Sequence, residues 1–139
     1  MKIIDATDLI VGRLATKVAK MALLGEDIVI LNSEKAIMTG SKQEVVDKFK
    51  RKYSMGVPRK GPFIHRRPER LLKRSIRGML PYNKAHGREA FERIKCYMGV
   101  PEQFQDAKKE TFDEANIVKV PSLKYVYLLT VSKILGAKV

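Results

Sequence analysis

KIIDATDLIVGRLATKVAKMALLGEDIVIL, residues 2–31, decides the fold class. Its two ends, residues 2–4 and 27–31, are short apolar runs. The second is β-branched and uninterrupted, as expected of a strand buried on both faces in a parallel sheet. Between them Val11, Leu14, Ala15, Val18 and Ala22 share one side of a 3.6-residue wheel, while Arg13, Lys17 and Lys20 share the opposite side. Thr7 or Asp8 is placed to cap this helix, which runs to about Leu24, and Gly25 is the expected left-handed stop. Strand, helix and strand in so short a span read as a βαβ unit, and hence as an α/β fold.

Working outward, residues 36–39 form a second short candidate strand ending at Gly40, and Ser41 with Glu44 makes a capping-box pattern for a helix. In that helix Val45, Val46, Phe49 and Tyr53 are expected to face the core, leaving Lys42, Lys48, Arg51 and Lys52 toward solvent or a partner. Residues 54–67, SMGVPRKGPFIHRR, mix Gly, Pro and basic residues without periodicity. This reads as a loop longer than compact domains usually tolerate, and such loops are usually functional. Pro68 suits a first helical turn. The helix it opens carries an apolar stripe of Leu71, Leu72, Ile76 and Met79 beside Arg70, Lys73, Arg74 and Arg77, and ends at Gly78 and Pro81. A short helix over 84–93 leads to a last strand at 95–97, and Pro101 starts a brief helical turn. Residues 108–116 look polar and exposed, and 125–130 read as a strand or packed arm before a short terminal helix. With no repeat and no composition break, residues 1–139 are expected to make one domain.

Charge locates the function. The chain holds 28 Lys plus Arg against 15 Asp plus Glu, a net +13. Residues 42–95 hold nearly all of that excess. So large a surplus of one sign raises self-repulsion in the folded state and points to a polyanionic partner. In that stretch Arg59, Lys60, Arg66, Arg67, Lys84 and Arg88 are interleaved with Gly, Pro and aromatics. Glycine lets backbone N–H groups approach phosphate, and Arg forks bind phosphate oxygens bidentately. Phe63, Tyr82, His65 and His86 offer stacking surfaces for unpaired bases; Tyr53 and Phe91, at helical spacing, are expected in the core.

Enzyme chemistry finds no matching pattern. There is no GxxxxGK[ST], GxGxxG after the first strand, HExxH or GxSxG. His65 and His86 could serve as acid and base on RNA, but in segments crowded with Arg and Lys the plainer role is contact with phosphate or base. The single cysteine, Cys96, has no partner for a disulfide, and no Cys and His have metal-ligand spacing. No cofactor, metal or small-molecule substrate is expected. The acidic first residues lack the form of a signal peptide, and no apolar run spans a bilayer, so a reducing cytoplasm is the expected compartment and no membrane partner is expected.

The stretch HRRPERLLKRSIRGMLPYNKAHGREAFERIKCYMGVP, residues 65–101, closely resembles the signature region of the universal large-subunit ribosomal protein thirteen family. That pattern includes RRPE, then GMLP, then a G-R and an aromatic before K-x-Y-x-G. IDATDLIVGRLATKVAK, residues 4–20, resembles the family's DAT…GRLAT start, and VILNSEKAIMTGSK, residues 29–42, its VLN…K…TG segment. The direct start at the first strand and PYNKAHG after Leu80 resemble archaeal and eukaryotic members, and the short C-terminus favours the archaeal form. The resemblance implies a three-layer α/β domain with about four mostly parallel strands flanked by helices and a long basic loop. It implies a structural constituent of the large ribosomal subunit that binds 23S-type rRNA, contacts neighbouring large-subunit proteins, supports assembly and translation, and catalyses nothing.

Overall fold

In the computed structural model, which describes residues 1–139, strands β1 (Lys2–Asp5), β2 (Ile28–Leu31) and β4 (Ile94–Cys96) form a parallel sheet in the order β1-β2-β4. Helix α1 (Val11–Leu23) carries the chain from β1 to β2. All four residues of β2 are buried, as a central parallel strand requires. Strand alternation divides the sheet between two apolar clusters. Ile4, Ile28, Ile30 and Ile94 join the main core with Leu14, Ala15, Val18 and Ala22 of α1. Ile3, Val29 and Leu31 face the other way. No long helix covers that second face; Tyr97, Val100, Phe104 and Ala107 do, from a segment containing the brief helical turn Glu102–Phe104.

The α/β class, the mostly parallel sheet and the flanking helices are as the sequence leads one to expect, but the parallel sheet has three strands. The remaining candidate, β3 (Ile37–Thr39), pairs antiparallel with β5 (Tyr125–Tyr127) in a separate two-stranded sheet, Ile37 opposite Tyr127. Helix α5 (Leu128–Ile134) follows at once and buries Leu128 and Val131. Residues 108–116 are not simply polar and exposed. Glu110 pairs by its backbone with the free edge of β1, Phe112 packs on the core and Ala115 is fully buried. Backbone pairing of this kind leaves no side-chain period for sequence reading to detect.

Helix α1 also starts later than Thr7 or Asp8. The Asp5 carboxylate takes both the Thr7 N–H (3.0 Å) and the Thr7 hydroxyl (2.7 Å), and Asp8 adopts φ 57° and accepts from the Tyr127 hydroxyl. These local bonds compete with helix formation, so the first helical residue is Val11 after an uncapped Ile10. Asp5 also accepts from the buried, left-handed Asn32 (3.0 Å), tying the C-terminal ends of β1 and β2. Burial pushes the Asp5 carboxyl up, but the hydrogen bonds from Asn32 and Thr7 and the charge of Lys109 outweigh it and hold the group below its ordinary value. A carboxyl depressed in the folded state adds stability above its unfolded pKa and loses it as pH falls through the folded one. Asp5→Ala is therefore expected to cost about 1–3 kcal/mol at neutral pH, since hydrogen bonds to a charged group are lost and Asn32 is left unpaired. Denaturant midpoints measured down the pH scale should show the gap from the parent narrowing below about pH 4, near the ordinary carboxylate value.

Helices α2 (Lys42–Ser54), α3 (Pro68–Arg77) and α4 (Ala85–Glu92) fill the basic middle of the chain. The Ser41 hydroxyl accepts from the Glu44 N–H at 3.3 Å and caps α2, with Val45 and Val46 buried below it. Tyr53 does not join the core: it is 41% exposed near the end of α2, beyond the last core contacts of that helix. Met79 is likewise exposed, because α3 ends at Arg77 and the chain turns away.

Candidate nucleic-acid interface

Helix α3 is the ridge of the basic surface. Pro68 sits at its first turn, and Leu71, Leu72 and Ile76 are buried against the core. That stripe fixes the opposite face, so Arg70, Lys73, Arg74 and Arg77, at i, i+3, i+4 and i+7, point outward together. They wall a groove of about 750 Å³ that the 62–65 segment and the end of β4 complete, with Phe63, His65, Lys95 and Tyr97 among its lining. Like charges three and four residues apart destabilise a helix, and Glu69 is the only acid on this wall. The arrangement becomes favourable when an anion fills the groove.

Aromatic rings fix several of these cations. Tyr82 and Phe91 meet edge to face at 5.5 Å, the Lys73 ammonium lies 4.7 Å over Phe91, and the Arg77 guanidinium 5.2 Å over Tyr82. Phe91 packs partly on the core, as expected of it. On the loop side Arg66 lies 4.5 Å over Tyr53, and its carbonyl accepts from the buried Ser132 hydroxyl. Arg67 pairs with Glu69 at 3.0 Å. Cations held in place by rings and by a carboxylate lose little further side-chain freedom when they meet phosphate.

The 54–67 loop is built rather than loose. Val57 and Gly61 bridge a tight turn, with the Lys60 and Gly61 N–H groups on the Val57 carbonyl. Gly56, at φ +80°, makes the turn possible: a Cβ there would stand 1.9 Å from the Gly61 carbonyl oxygen. Arg59 and Lys60 stand exposed at the tip.

The remaining candidates spread over the surface. Lys42, Lys48, Arg51 and Lys52 are exposed on α2, the last three lining a shallower depression with Asp47 and Met55. Lys84, His86 and Arg88 are exposed at the start of α4, outside the groove. On α1, Lys20 is exposed, but Arg13 donates to the Glu114 carbonyl (3.0 Å) and Lys17 pairs with the Glu114 carboxylate (2.6 Å) and lies 5.1 Å over Phe112. Two of the three cations on that face are thus engaged by the chain's own C-terminal part, so the face is not a free basic stripe. Lys73 and Lys95, not among the sequence candidates, line the groove. Helical spacing from Arg70 and Arg77 was signal enough for Lys73; Lys95 depends on the end of the sheet meeting α3.

The groove contains His65 but not His86, so the fold does not bring the two imidazoles to one ligand. Cys96 lies on the same wall, and burial pushes its thiol up to about 12, which keeps it protonated and unreactive near neutral pH. No helix is long and apolar enough to cross a membrane.

Comparison with known proteins agrees in one direction. The sequence model of the family described as "Ribosomal protein L13" matches residues 1–103. The "Large ribosomal subunit protein uL13" of Archaeoglobus fulgidus is 47% identical over 135 residues, 96% of this chain and 86% of that protein. The protein of the same description from Methanococcoides burtonii is 45% identical over 99% of both chains, and that from Haloarcula marismortui 40% identical over 97% of this chain and 90% of its own.

Proposed function

Because the chain belongs to the ribosomal protein L13 family, whose members are ribosomal proteins and not enzymes, we propose that it binds large-subunit rRNA through the α3 groove and the cations around it, as a structural part of the cytoplasmic large subunit. Support comes first from the groove: Arg70, Lys73, Arg74, Arg77 and Lys95 converge on one concavity with a single acid opposing them. His65, the loop-tip residues Arg59 and Lys60, and Arg66 and Arg67 extend the contact on one side. The exposed faces of α2 and α4, with Lys42, Lys48, Arg51, Lys52, Lys84, His86 and Arg88, extend it on others. Lys20 completes it, with Arg13 and Lys17 contributing only what Glu114 leaves free. Assembly of the subunit follows from the same contacts, since a protein that neutralises phosphates lets RNA segments approach, and neighbouring large-subunit proteins are its other partners.

Filter binding of the purified chain to large-subunit rRNA tests this. Affinity should fall steeply with salt, by about a hundredfold or more between 50 and 200 mM, as release of several counterions requires. Binding that is weak at low salt and indifferent to it would remove the reading.

A further inference from the structure

We propose that the α3 groove receives one unpaired guanine nucleotide, with Glu69 reading the base edge while the α3 cations hold the phosphates beside it. The inference rests on the rRNA-binding reading and adds to it a ligand and a specificity-determining residue.

Glu69 is out of place in a groove meant for phosphate alone. It shares the wall with Arg70, Lys73, Arg74, Arg77 and Lys95, and a carboxylate there repels a phosphate ligand. Its own bonds do not explain it. Oε1 accepts from the Arg67 Nε at 3.0 Å, whereas Oε2 is buried and has no hydrogen-bond partner. None of the five groove cations pairs with either oxygen. Placement in the first turn of α3 favours an acid there electrostatically, yet supplies no donor to Oε2. A buried acceptor without a donor is costly, and such groups in native structures call for an explanation.

A base edge supplies the missing donor. Guanine presents N1–H and N2–H side by side, two donors matching the two acceptor oxygens of a carboxylate. Adenine and cytosine place a ring acceptor beside their amino group, and uracil flanks its one donor with two carbonyls, so each turns a lone pair toward the carboxylate. The groove has room, since small-molecule sites run from about 300 to 1,000 Å³. Phe63, 72% exposed in the groove lining contributed by the 62–65 segment, offers a face on which a base can stack. The side chains beside Glu69 are long and flexible, Arg70 and Arg74 exposed and Lys73 half-buried, and they can move aside for a ring.

Fluorescence anisotropy with single-stranded oligouridylates bearing one central G, inosine, A or C, titrated with the full chain at low salt, reads this directly. The G oligomer should bind about tenfold tighter than the A, C and all-U oligomers, the discrimination expected of one bidentate base contact. Inosine, lacking the N2 amino group, should fall between. Glu69→Gln should erase the preference while all-U binding holds or tightens, because a negative charge leaves the groove; a merely structural role would lower all oligomers alike. Equal binding of all oligomers by the parent protein would overturn the guanine pocket while leaving the rRNA reading standing. A preference that survives in Glu69→Gln would overturn the role of Glu69. If neither oligomers nor large-subunit rRNA bind at low salt, the rRNA reading itself falls and the pocket with it.

Discussion

Replacing Arg70, Lys73, Arg74 and Arg77 together by Gln is expected to lower affinity for large-subunit rRNA by about a hundredfold near 100 mM salt, and to flatten the dependence of log affinity on log salt by about three. The four residues lie on the outward face of α3 at one-turn spacing and line one groove, so they act on the same stretch of backbone phosphate. Gln keeps much of the stem length and the helix propensity of Lys and Arg, and the buried stripe of Leu71, Leu72 and Ile76 is untouched. Stability should therefore hold, relief of the like-charge pairs Arg70–Arg74 and Lys73–Arg77 offsetting loss of the Lys73–Phe91 and Arg77–Tyr82 contacts. Replacing Lys119 and Lys124, which lie outside the basic middle of the chain, by Gln should change affinity far less. Filter binding over a salt series, with circular dichroism as the folding control, separates these outcomes. Unchanged affinity in the fourfold variant would place the interface elsewhere.

Leu72→Ala is the second large effect, and it tests the support beneath the groove. Leu72 is fully buried in the main core, and deleting a buried leucine side chain typically costs about 2–5 kcal/mol. Domains of this size are commonly stable by about 5–15 kcal/mol, so the denaturant midpoint should drop sharply with little change in slope. Tyrosine fluorescence and far-ultraviolet circular dichroism should report one coincident transition, because we propose that residues 1–139 fold as one unit. Two separated transitions would refute that. Under conditions where the variant stays folded, rRNA affinity should be nearly unchanged, since Leu72 touches the core and not the groove.

What the sequence reveals of this fold depends on whether side chains or backbone make the contact. The βαβ start is legible because Leu14, Val18 and Ala22 mark a helix face and residues 28–31 an uninterrupted buried strand. The α3 cations are legible for the same reason, being the complement of an apolar stripe. The partner of β3 is not, since nothing in residues 37–39 distinguishes a neighbour in the parallel sheet from Tyr125–Tyr127. The capture of Arg13 and Lys17 by Glu114 is equally hidden, because it depends on main-chain pairing of Glu110 with the edge of β1 and of Ala115 and Asn116 with Ile10 and Leu9. Tyr53 had the spacing of a core residue and lies outside it, because helical period says nothing of where a helix outruns the body it packs on.

The pairing of β3 with β5 couples the early part of the chain to its last residues, with the whole basic middle looped between them. During synthesis β1, α1 and β2 leave the ribosome first, yet Ile37 has only its main-chain pairing with Leu9 and Ile10 until Tyr127 emerges, and Lys17 has no carboxylate partner until Glu114 does. Contacts so far apart in sequence form late and slowly. The nascent chain thus displays its cations before its fold is closed, and keeping it from stray RNA during that interval becomes a matter of timing between elongation and docking.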